Sequence, residues 1–187
     1  MNGGLAGGVI IALLALPPVR GALERVMIGH MLIQIPLLAL GGGLVAAALP
    51  PRWKARIAPW NEGGVAGMLM ALIASSWWMV PRALDWALLS PRMETLKFLS
   101  LPLLVGAPVA LSWPRLGGLR RGFVVANVLP MWAVVGWLYA AAPVRVCNFY
   151  LADQQVTAGI GLLTVSLALA VILGVFAFVT ESAPMLR

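Results

Sequence analysis

Six long apolar runs, separated by short basic connections, leave this chain few folds to choose from. They cover about Gly3 to Val19, Met27 to Leu49, Gly64 to Val80, Met93 to Trp113, Gly122 to Ala142 and Val156 to Thr180. A helix rising about 1.5 Å per residue needs roughly 20 residues to cross a hydrocarbon layer of about 30 Å, and each run reaches or approaches that length. Strands of a membrane barrel would alternate apolar and polar residues instead. Only 10% of the 187 residues are charged, against about 25% in a soluble domain. The expectation is an all-α membrane protein, a bundle of about six transmembrane helices forming one polytopic domain over residues 1–187.

The net charge of +7 would suggest nucleic acid in a soluble chain. Here the cations sit in loops, where membrane topology accounts for them and lipid is the expected surroundings. Arg52, Lys54 and Arg56 fall in the second connection and Arg115, Arg120 and Arg121 in the fourth. That bias places even connections and both termini in the cytoplasm, with Arg20 and Arg25 opposing it. The first run has no basic leader and no A-x-A-like exit, so it reads as a retained span. Pro102, Pro108 and Pro130 should kink their spans. Gly41-Gly42-Gly43 and Gly117-Gly118 suit close helix approach or turns. Cys147 is the only cysteine, so no intrachain disulfide forms.

With that topology, polar and soft-ligand residues from separate spans gather at the outer end. Met27, His30, Met31 and Gln34 fall at i, i+3, i+4 and i+7, on one face of a helix, and His30 is the only histidine. Trp77, Trp78 and Met79 close the third run, Met93 and Glu94 open the fourth, and Cys147, Asp153, Gln154 and Gln155 lie in the fifth connection. Imidazole, thioether and thiolate together suit monovalent copper. Taken singly, each methionine reads as core filler and His30 and Gln34 as packing groups whose polar atoms find partners. Asp153 reads as a helix N-terminal acid. Asp85 and Glu94 are placed to pair with Arg82, Arg92 or Lys97, and Trp77, Trp78 and Trp86 fit an interfacial aromatic belt. No zinc spacing, phosphate loop or nucleophile with its base occurs, so no enzyme is expected.

His30-Met31-Leu32-Ile33-Gln34, Trp78-Met79-Val80-Pro81 running to Asp85-Trp86-Ala87-Leu88, Ser90-Pro91, and Asp153-Gln154-Gln155 with Ala158-Gly159 resemble, in the same order, the CtaG-like membrane family. That resemblance implies a role in cytochrome c oxidase assembly and copper insertion. The departures fall on its histidines. The family shows H-M-x-x-H where this chain ends in Gln34, a histidine where it has Met79, and a histidine pair where it has Met93 and Lys97. His30 and Asp153 are the polar matches, with Gln154 and Gln155 beside the latter.

Two readings follow. In the first, a factor of the bacterial inner membrane serves respiratory-oxidase assembly. It holds or passes Cu(I) at the outer face through His30, Met31 and Met79, joined by Met27, Met93 or Cys147, with Gln34, Asp153 and Gln154 orienting the ligands. In the second, metal binding is lost and the scaffold is a metal-free accessory subunit docked on a larger membrane complex. Lys97 favours the second, because an ammonium repels a cation and offers no lone pair. A quinone-like pocket ending on His30 and Asp153 is a third reading.

Overall fold

Proline decides where the helices of this chain begin. A computed structural model describes residues 2–182, and among them all regular structure is helical. Helix α1 is Asn2–Ala15 and α2 Pro17–Glu24. Helix α3 is Gly29–Ala47. Helix α4, Pro51–Ile57, leads through a tight turn over Ala58–Gly64 into α5, Val65–Trp78, which is followed by α6, Pro81–Leu89. Helices α7 and α8 are Pro91–Arg115 and Gly118–Ala141, and α9 is Ala152–Ser182. Pro17, Pro51, Pro81 and Pro91 each open a helix, where the missing N–H leaves no bond unmade.

The residue before a proline is driven out of the helical region, and this bends two of the expected spans. Leu16 (φ −61°, ψ 128°) and Val80 (φ −72°, ψ 123°) are both extended. Each junction turns the chain by 72°, between α1 and α2 and between the Pro51–Trp78 segment and α6. The six expected spans therefore divide into four unbroken helices long and apolar enough to cross a membrane, α3, α7, α8 and α9, and two bent pairs. By length and composition, the described residues thus supply four candidate crossings, or up to six if each bent pair forms one span.

Two spans carry π-helical turns, Gly29–Gln34 in α3 and Leu101–Gly106 in α7. Each ends two residues before a proline, Pro36 and Pro108. A proline ring clashes with the carbonyl four residues back and supplies no N–H, and a wider turn accommodates both defects. The irregular turn of α7 lies against the Ile35–Ala47 part of α3. A Cβ on Gly42 would strike the Pro102 backbone, and one on Gly106 the Ala39 carbonyl. Gly41-Gly42-Gly43 thus serves close approach, whereas Gly117 and Gly118 face open space at the turn into α8. Helices α8 and α9 meet at Gly136 and Gly159, where an added Cβ would come within 2.8 and 2.6 Å of the opposite carbonyl. Pro130 lies inside α8, which runs on as a single helix from Gly118 to Ala141.

The fully buried side chains are concentrated at the end where α2 and α6 cross the bundle. Met27, Trp78, Leu84, Leu101, Tyr139 and Cys147 lie there, together with His30, Gln34 and Lys97. Trp78 is buried rather than part of a belt, its indole N–H donating to Ser100 Oγ at 2.9 Å. Trp77 and Trp86 are half-exposed.

Candidate functional site

A lysine ammonium stands at the centre of the buried end. Lys97, in the second turn of α7, is fully buried. Its Nζ lies 2.6 Å from Glu24 Oε1, 3.1 Å from His30 Nε2 and 3.0 Å from Gln34 Oε1. Gln34 Nε2 donates to the same Glu24 oxygen at 3.0 Å. His30 Nδ1 is 2.9 Å from the Tyr150 hydroxyl, which is 2.9 Å from the Glu24 main-chain carbonyl.

The protons in this network follow from counting donors. The Glu24 carbonyl can only accept, so the Tyr150 O–H donates to it. The Tyr150 oxygen must then accept from His30, which puts the imidazole proton on Nδ1. Nε2 is left with a lone pair and accepts from Lys97. Three acceptors around Nζ require three N–H donors, which is the ammonium form. Every buried side-chain polar atom of the cluster is thereby paired, the condition under which a buried charge is tolerated. Burial, and then the Glu24 carboxylate, push the Tyr150 phenol up from its ordinary range, keeping it the neutral donor that this arrangement needs.

Four separate elements, α2, α3, α7 and the connection between α8 and α9, place these groups. Helix α2 lies across the bundle end, held to α7 by Glu24–Lys97 and by Arg20–Glu94 at 2.9 Å. Arg20 and Glu24 are four residues apart and Glu94 and Lys97 three apart, so each helix presents both charges on one face. Glu94 therefore pairs across to Arg20 and Lys97 to Glu24, not with the neighbouring charges of their own connection. Asp85 likewise takes no cation among the described residues. Its carboxylate accepts the N–H groups of Asn148 at 2.8 Å and Phe149 at 3.3 Å. Gln155 Oε1 accepts from Val146 and Cys147, at 2.7 and 3.3 Å, and its amide donates to the Tyr139 carbonyl at 3.1 Å. Asp85 and Gln155 thus pin the irregular connection between α8 and α9, and that connection delivers Tyr150 to His30.

The residues singled out from sequence separate into three groups. His30 and Gln34 enter the ammonium network, and Met27, His30, Met31 and Gln34 are all buried, as one shared face requires. The sulfur-bearing residues go elsewhere. Met31 and Met79 line an apolar cavity of about 590 Å³ between α3, α5, α7, α8 and α9. Met27 belongs to the apolar core and Met93 packs half-buried against it. Cys147 Sγ lies 3.9 Å from the Tyr139 hydroxyl. Burial, and then the Asp85 carboxylate, push this thiol up to about 11, away from the thiolate that binds metals. Asp153 is exposed and Gln154 half-buried. The expectation that Asp153 orients His30 is corrected: Lys97 and Tyr150 occupy both ring nitrogens. Neither His30 nor Asp153 lines the large cavity, so they do not form the polar ends of a pocket there.

This donor set does not fit a copper ion. The one imidazole lone pair points at an ammonium, and the thioethers face apolar surroundings. No group of three or more His, Cys, Asp or Glu side chains that could hold a metal occurs among the described residues. Glu24 and Tyr150 were not legible as site residues, since neither stands in a recognisable motif. The charge spacing in α2 and α7 was the available signal. The chain matches no family model, no curated protein and no solved structure.

Proposed function

We propose that this chain is a metal-free accessory protein on a CtaG-like scaffold, docking on a larger membrane complex rather than carrying copper. Respiratory-oxidase assembly in a bacterial inner membrane, with both termini in the cytoplasm, is the setting that the resemblance and the loop charges imply. One observation carries the reading: Lys97 Nζ lies 2.6, 3.1 and 3.0 Å from Glu24, His30 and Gln34. Positions 30, 34 and 97 are those where the resembling family has histidines, and they converge here around a tethered cation. A second positive ion would meet repulsion from Lys97 and find no free nitrogen.

The α8–α9 hairpin supports the docking role. Its helices pack chiefly on each other and leave Phe123, Trp137, Val134 and Leu167 largely exposed, which suits contact with lipid or another membrane subunit. Purified protein incubated with Cu(I) and a competing chelator under reducing conditions tests the reading, together with affinity purification from mildly solubilised membranes. The expected result is no copper uptake and recovery of a membrane complex in fixed stoichiometry. One equivalent of copper, lost in His30→Ala, would overturn it and restore the carrier reading.

A further inference from the structure

At the opposite end of the bundle, cations gather without carboxylate partners. Arg52, Lys54 and Arg56 on α4 and Arg115, Arg120 and Arg121 around the α7–α8 turn belong to no ion pair among the described residues. Arg115 and Arg120 meet the Gly63-Gly64 turn. Arg120 Nη1 donates to the Gly63 carbonyl at 3.2 Å, and Arg115 Cβ lies 3.3 Å from where a Cβ on Gly64 would stand. Both glycines have positive φ, 65° and 74°, which draws the turn tightly under the arginines. Arg121 rests over Trp113, 5.6 Å from the ring centre. Its Nε is the one buried side-chain polar atom among the described residues without a hydrogen bond. Such a donor is left able to meet an acceptor from outside the protein.

An apolar groove starts beside Arg120. It has a volume of about 290 Å³ between α5 and α8, walled by Val65, Leu69, Leu72, Phe123 and Val124, with Arg120 at its rim. Met68, Leu72 and Val124 also line the larger cavity of about 590 Å³, so groove and cavity adjoin across these side chains. Cationic donors at the mouth of a long apolar slot match a molecule with an anionic head and a hydrocarbon tail.

We propose that this end is a binding site for an anionic glycerophospholipid. The phosphate contacts Arg120 and Arg121, and one acyl chain lies along the α5–α8 groove toward the central cavity. A soluble phosphate uses the arginines alone and leaves the groove unused. The proposal does not rest on the role of Lys97.

Native mass spectrometry of the full-length protein in detergent tests it, with phosphatidylglycerol and phosphatidylcholine of identical acyl chains as probes. The wild type is expected to retain phosphatidylglycerol about tenfold more strongly, the order of one lost charge-assisted contact. Arg120→Gln with Arg121→Gln should abolish that preference, and Arg52→Gln with Arg56→Gln should leave it. Leu69→Trp, at a half-exposed wall position, should weaken retention of both lipids by filling the groove. Glycerol phosphate at millimolar concentration should displace neither. Equal retention of the two lipids by the wild type overturns the proposal, and that comparison depends on no variant folding. Preference surviving the Arg120/Arg121 change, loss on the Arg52/Arg56 change, or displacement by glycerol phosphate would overturn it equally.

Discussion

Replacing Lys97 by methionine removes the cation while keeping most of the side chain's length and apolar stem. Three charge-assisted hydrogen bonds of 2.6, 3.1 and 3.0 Å disappear. Glu24 keeps only the Gln34 amide, and His30 Nε2 and Gln34 Oε1 become orphaned acceptors. Removing one partner of a buried ion pair costs about 3–5 kcal/mol. The Glu24 side chain is 13% exposed, so water recovers part of the carboxylate's loss. The expected destabilisation of Lys97→Met is therefore about 3 kcal/mol, near the lower end of that range. Adding Glu24→Gln removes the stranded charge. The double variant should consequently be less destabilised than the sum of the single changes by about 2 kcal/mol. Equilibrium unfolding in mixed detergent micelles, followed by circular dichroism, measures all four proteins of the cycle. A Lys97→Met cost below about 1 kcal/mol, the range of an exposed pair, or strict additivity in the cycle would refute a paired, buried ammonium.

Other consequences follow from the same contacts. Because Cys147 is pushed up to about 11, its alkylation rate should climb about tenfold per pH unit until about pH 10. Levelling near its ordinary value of 9.0 would contradict the burial. Asp85→Ala frees the amides of Asn148 and Phe149 and should cost about 1–3 kcal/mol. Their hydrogen exchange should speed up relative to that of α5, and unchanged exchange would exclude Asp85 as the anchor. Gly106→Ala drives a methyl into the Ala39 carbonyl and should cost about 1–3 kcal/mol. Gly118→Ala, which faces open space, should change stability little in the same unfolding assay.

The helical architecture was legible because span length and charge exclusion are dictated by the bilayer, and those signals are summed over many residues. The bends at Leu16-Pro17 and Val80-Pro81 were written locally too, as extended residues before prolines. What escaped was their consequence: α2 and α6 turn across the bundle end instead of prolonging their spans. That displacement brings Glu24 to Lys97 and Asp85 to Asn148, contacts separated by 73 and 63 residues. Spacing within one helix could not indicate them. Gathering of His30, Lys97 and the connection before α9 at one end was foreseeable from alternating spans. The occupant of that end was not. The soft side chains near His30 suggested an ion, whereas packing sends Met31 and Met79 to an apolar cavity and leaves the imidazole to a lysine. Sequence proximity of ligand types says little about where their lone pairs point.

Since the chain has a single histidine, nitrogen-15 labelling of histidine reports on one imidazole, and its NMR spectrum tests the central claim most directly. The account predicts a neutral ring with the proton on Nδ1, an Nε2 lone pair accepting from Lys97, and resonances that Cu(I) leaves in place. A proton on Nε2, or an Nε2 resonance that moves when Cu(I) is added under reducing conditions, would contradict it.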